Sequence, residues 1–180
     1  MGRTVDARPF DSRDNPMDST WHTAWQGPDI VVFHDDAEVD RFKAADVQRV
    51  IFVQHGSGEH LGDLSYSVVE LPDEFLLLPA NTGFAGRVHF ERLAFWAEKR
   101  CIFWAHESHA PLPGRLRRGL RLLKPALPIF GRVPRVELQD TIARWTLVGP
   151  QTWDERKWQR IALSRPFATA VEAAKPRLRA

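Results

Sequence analysis

The sequence predicts an α+β fold, an antiparallel sheet packed by an amphipathic helix, with a Pro-rich, basic and partly helical C-terminal part. Three observations predict it. Short apolar runs bounded by turn residues recur between 30 and 78, as buried strands do. Near residue 90 the apolar spacing changes to that of a helix. Beyond 110 the composition breaks, with Pro111, Pro113, Pro125, Pro128 and Pro134 bracketing a short basic segment. The organisation read from this is a disordered leader over 1–20, an α+β core over 21–110, and a segment 111–180 docked on that core.

The leader is polar, mixed in charge and nearly free of apolar periodicity. After the Gly27-Pro28 turn, Ile30 to Phe33 reads as the first buried strand. Residues 37–47 are open between a short helix and a strand with a turn, with Val39 and Phe42 forming one apolar side. Strands follow at 48–54, 65–71 and 75–78, the last two joined by a tight turn at Pro72-Asp73-Glu74. Phe90, Leu93, Ala94 and Ala97 fall at i, i+3, i+4 and i+7, which predicts a helix from about 87 to 100. "CIFWA" (101–105) is a further strand. Residues 136–150 read as a strand, or as a helix and then a strand. Thr152 followed by Glu155 is a capping-box pattern and predicts a helix over 153–163. A last helix is expected over 165–175.

Composition excludes several classes. No window approaches the roughly 20 apolar residues of a membrane-spanning helix, and the polar N-terminus lacks the apolar stretch of a secretory signal. The single cysteine, Cys101, rules out an internal disulfide and fits a reducing compartment. A cytoplasmic location is therefore expected, with a peripheral position at a membrane left open. The formal net charge is only +2, but it is unevenly placed. Residues 111–180 hold 15 of the 25 Lys and Arg and only 5 of the 23 Asp and Glu. That asymmetry points to an anionic partner for the C-terminal part.

The basic segment "GRLRRGLRLLK" is the most distinctive functional signal. In a helix, Leu116, Leu120 and Leu123 share one side while Arg115, Arg117, Arg118, Arg121 and Lys124 occupy the rest. Basic amphipathic segments bind anionic membrane surfaces, because apolar insertion and headgroup attraction act together. The same cations could neutralise nucleic-acid phosphates, with Trp145, Trp153 and Trp158 as stacking faces. Packing of its leucines on the domain is the bland alternative, and Gly119 and Pro125 limit any helix there.

Catalytic signals are weaker. "HGSG" at 55–58 has the look of an oxyanion loop, yet no G-x-S-x-G nucleophile motif occurs; it reads as a hairpin loop. Asp35-Asp36 and Asp73-Glu74 read as turns. A metal site would have to gather His34, Asp36, His106 and His109 from separate strand ends.

The run from "DIVVFHDD" through "ADVQRVIFVQHG" and "LSYSVVELPDEFLLLPA" to "FERLAFWAEKR" resembles bacterial pleckstrin-homology-like domains, with Asp46-Val47-x-x-Val50 leading a strand. The resemblance covers about 29–100. It implies a bent antiparallel sheet closed by one helix, serving as a scaffold for lipid headgroups, peptides or partner proteins, with no catalytic residue. The expectation is a non-enzymatic binding module without a cofactor, engaging a partner protein or an anionic surface through Arg115 to Lys124. The alternative is a small hydrolase or metal-dependent enzyme built on the His/Asp set.

Overall fold

A computed structural model describes residues 20–56, 63–97, 101–114 and 129–156. Among the described residues, eight strands form two sheets. β1 (Trp21–Gln26), β2 (Asp29–His34) and β3 (Ala37–Lys43) make an antiparallel meander. β4 (Arg49–Gln54), β5 (Leu64–Glu70), β6 (Glu74–Pro79), β7 (Ile102–His106) and β8 (Gly131–Pro134) form the second sheet, in the order β7-β4-β5-β6-β8. The helices α1 (Arg87–Trp96) and α2 (Arg135–Ile142) accompany them.

The α+β class stands, with two refinements to the expected single antiparallel sheet. The strands divide between two sheets, and the larger one is mixed. β7 lies parallel to β4, pairing Val50 with Ile102 and Gln54 with His106. The reason is the crossover: β6 leads into α1, which carries the chain across the sheet to its far edge.

Turn chemistry explains the meander. Asp35 and Asp36 both have positive φ (50° and 63°), the requirement of a two-residue hairpin turn, and Asp tolerates it better than most residues. The ambiguous stretch after this turn is a strand. Val32 pairs with Asp40 and Phe33 with Glu38, so Val39 is the extra residue of a bulge. The bulge resets the alternation: Phe42 is buried while Val39 is exposed.

The continuous apolar runs have a physical cause in the larger sheet, which is covered on both faces. Val50, Phe52, Val69, Leu76, Leu78, Ile102 and Trp104 pack against the small sheet (Ile30, Val32, Phe42) and α1 (Phe90, Leu93). The alternate residues Ile51, Val53, Tyr66, Val68, Phe75 and Leu77 pack on the other side against Leu112, Ile129, Leu138, Ile142 and Trp145. Residues 110–112 and 129–145 thus supply the second covering layer, and β8 extends the sheet by pairing with β6.

α1 is helical from 87 as expected, but its buried side is His89, Phe90 and Leu93, and Ala94 faces out. The capping box at 152 is formed. The Thr152 backbone N–H donates to Glu155 Oε2 at 2.7 Å, and the Glu155 N–H donates back to Thr152 Oγ1 at 3.2 Å. The turn 153–156 is helical; the rest of the expected 153–163 helix, the helix at 165–175 and the leader 1–19 lie outside the described residues.

Candidate functional site

The basic run itself, Arg115, Arg117, Arg118, Arg121 and Lys124, lies outside the described residues, but the fold fixes where it starts and ends. Before it, Tyr66 donates its hydroxyl to the Ala110 carbonyl at 3.3 Å, and Trp145 Nε1–H donates to the Pro111 carbonyl at 3.2 Å. Leu112 is buried beside them. After it, Ile129 is buried in the same cluster as Leu112. Phe130 then packs on Trp21, with ring centroids 4.8 Å apart, and β8 begins.

β8 is held by Arg132. Its guanidinium donates to both oxygens of Asp40 (Nε to Oδ2 2.9 Å, Nη2 to Oδ1 2.6 Å), to the Arg41 carbonyl at 2.9 Å, and to Glu74. The Asp40 carboxylate is the first cause of its pKa lying above the ordinary guanidinium range. This fork ties the two sheets together across β3, β6 and β8. Next in the chain, Arg135 binds Glu70, Gln48 and the carbonyls of Leu71 and Pro72. A cleft of about 380 Å³ opens beside this network, lined by Phe42, Lys43, Asp46, Leu71, Asp73 and Arg132 among others.

The structure does not gather the four candidate metal ligands into one group. His34 ends β2 in the small sheet, and Trp21 stacks on its ring at 4.3 Å. Asp36 is in the adjoining turn. His106 ends β7 in the other sheet and caps a 3₁₀ turn, its Nδ1 accepting the Ser108 N–H at 3.3 Å. Only His106 and His109 meet, with ring centroids 6.1 Å apart. Among the described residues, no three His, Cys, Asp or Glu side chains are grouped to hold a metal ion.

The "HGSG" stretch is described only to Gly56. His55 Nδ1 lies 3.0 Å from the Ser65 hydroxyl, an exposed pair. Ser65 is the extra residue of a second bulge, where Val53 pairs with Tyr66 and Gln54 with Leu64. Among the described residues no third group is hydrogen-bonded to this imidazole, and His55 is exposed.

Three features escape sequence reading. His89 is buried between β1 and α1, with its pKa lowered to about 4 by burial and then by the nearby Arg92. The Arg156 guanidinium lies 3.3 Å from the Trp104 ring centroid and donates to Gln54 Oε1 at 2.6 Å. Phe95 and Trp96 stand exposed on α1. Only the last had a signal: neither residue belongs to the inward spacing Phe90, Leu93, Ala97. No helix among the described residues is long and apolar enough to cross a membrane. Comparison with protein-family models, with curated proteins and with solved structures finds no match.

Proposed function

We propose that the protein is a non-catalytic module that attaches to an anionic lipid surface through the basic run Arg115 to Lys124. The observation that carries this reading is the anchoring of the run at both ends. Leu112 before it and Ile129 after it are buried in one core cluster, so the chain enters and leaves the run from the folded body.

The composition of the run favours lipid over nucleic acid. Between 115 and 128 there is no acidic residue, and Leu116, Leu120, Leu122 and Leu123 alternate with the cations. Leucines gain free energy by leaving water for the acyl boundary, while cations nearby gain from anionic headgroups. A phosphate backbone would use only the cations.

Co-sedimentation of the full chain with vesicles tests the reading. Binding to phosphatidylcholine vesicles containing phosphatidylserine, falling as salt rises, is expected. Equal binding to pure phosphatidylcholine, or none to either, would refute it. Salt-sensitive binding to DNA in preference to vesicles would move the proposal to nucleic acid.

A further inference from the structure

The outer side of α1 is built unlike a solvent-facing helix surface. The inner side, His89, Phe90 and Leu93, completes the first core. The outer side leaves Val88 54 %, Phe95 73 % and Trp96 38 % exposed. Val88, Arg92, Phe95 and Trp96 fall at i, i+4, i+7 and i+8, a single stripe of the helix. Phe95 and Trp96 meet edge to face with centroids 5.4 Å apart, forming one two-ring unit.

Charge on this stripe is cationic. Glu91 is neutralised by Arg87, Nε to Oε1 2.6 Å. Arg92 stacks over the Trp25 ring at 5.5 Å and has no carboxylate partner among the described residues. The helix is also held firmly. His89 hydrogen-bonds to Trp25 and Thr23 of β1, so the stripe is presented on a fixed element.

We propose that this stripe is a second lipid contact, in which Phe95 and Trp96 enter the headgroup region of an anionic bilayer and Arg92 pairs with a headgroup. Aromatic rings favour that zone, where an apolar body and a polar edge are both satisfied, and a neighbouring cation adds attraction to anionic lipid. The proposal rests on the lipid reading given for the basic run, and extends it to a separate element whose role can fail alone.

The test uses the full chain, vesicles of phosphatidylcholine with phosphatidylserine, and the double variant Phe95→Ser/Trp96→Ser. These side chains lie outside both cores, so the thermal midpoint should not fall. The variant should bind about tenfold more weakly, a modest fraction of what burying two aromatic rings supplies, while keeping the salt dependence of the wild type. As a second measurement, brominated lipid should quench wild-type fluorescence more than that of Trp96→Phe. Equal binding by wild type and double variant, or equal quenching, overturns this inference and leaves the basic run standing. A wild type that binds no anionic vesicle overturns both. A wild type that is dimeric at sedimentation equilibrium, with a monomeric double variant, assigns the stripe to a second copy of the chain and overturns the lipid contact.

Discussion

The indole N–H of Trp25 donates to Nδ1 of His89 at 3.1 Å, and this bond fixes the tautomer of a buried imidazole. With Nδ1 an acceptor, the ring proton sits on Nε2, 3.1 Å from Thr23 Oγ1. The threonine hydroxyl in turn donates to the Thr82 carbonyl at 3.2 Å. A second proton on His89 would set two N–H groups head to head at Trp25.

The first prediction is a pH dependence. The unfolded imidazole takes up a proton near pH 6.5, the folded one only near 4. Between these values the unfolded state binds more protons, so stability falls as pH falls. The contribution is complete above about pH 6.5 and lost by about pH 4, on the order of 3 kcal/mol. Urea unfolding across that range should show the decline, and His89→Gln should flatten it. A slope unchanged in the variant would reject the assignment.

Glu70 gives a second. It is 7 % exposed and bridges Arg49 (Nε to Oε2 2.7 Å) and Arg135, joining β4, β5 and the start of α2. Glu70→Ala would leave two guanidinium groups without their carboxylate, a loss of about 2 kcal/mol. Equilibrium denaturation measures it, and a change below a few tenths would show that water replaces the carboxylate at no cost.

The third concerns the anchor before the basic run. Tyr66→Phe removes only the hydroxyl that reaches the Ala110 carbonyl, and should cost about 1 kcal/mol. Limited proteolysis should then cut more readily between 110 and 129. Unchanged cleavage would mean that Leu112 and Trp145 hold the segment unaided.

Gly149 provides the fourth. Its φ is +141°, and an added Cβ would lie 2.8 Å from the Ile102 carbonyl oxygen and 3.0 Å from the Phe103 ring. The strand backbone of β7 cannot yield easily, so Gly149→Ala should destabilise by about 2 kcal/mol or more. Its thermal midpoint beside wild type decides the matter.

Much of the fold was legible because strands and turns are local. The Asp35-Asp36 turn, the runs at 50–53 and 75–78, and the capping box at Thr152 each carry their own chemistry. The parallel pairing of β4 with β7 was not legible, since it depends on where α1 delivers the chain. Runs such as Val50 to Val53, apolar at every position, need cover on both faces, and the expected docking of the segment beyond 110 supplies it through Leu112, Ile129, Leu138, Ile142 and Trp145. His89 left no trace in the sequence: a lone histidine within a helix reads as surface until Trp25 is seen across from it. At the candidate site, the charge asymmetry was legible, while the anchoring of Leu112 and Ile129 in one cluster was a tertiary fact.

The most direct measurement removes the charge of the basic run and leaves the residues that flank it alone. Arg115, Arg117, Arg118, Arg121 and Lys124 are replaced together by Gln, and binding to phosphatidylserine-containing vesicles is compared with wild type at low salt. Lipid attachment through the run requires that binding fall by at least about a hundredfold, near 1 kcal/mol for each cation being the usual contribution, with the thermal midpoint unchanged. Undiminished binding by a folded variant would contradict it.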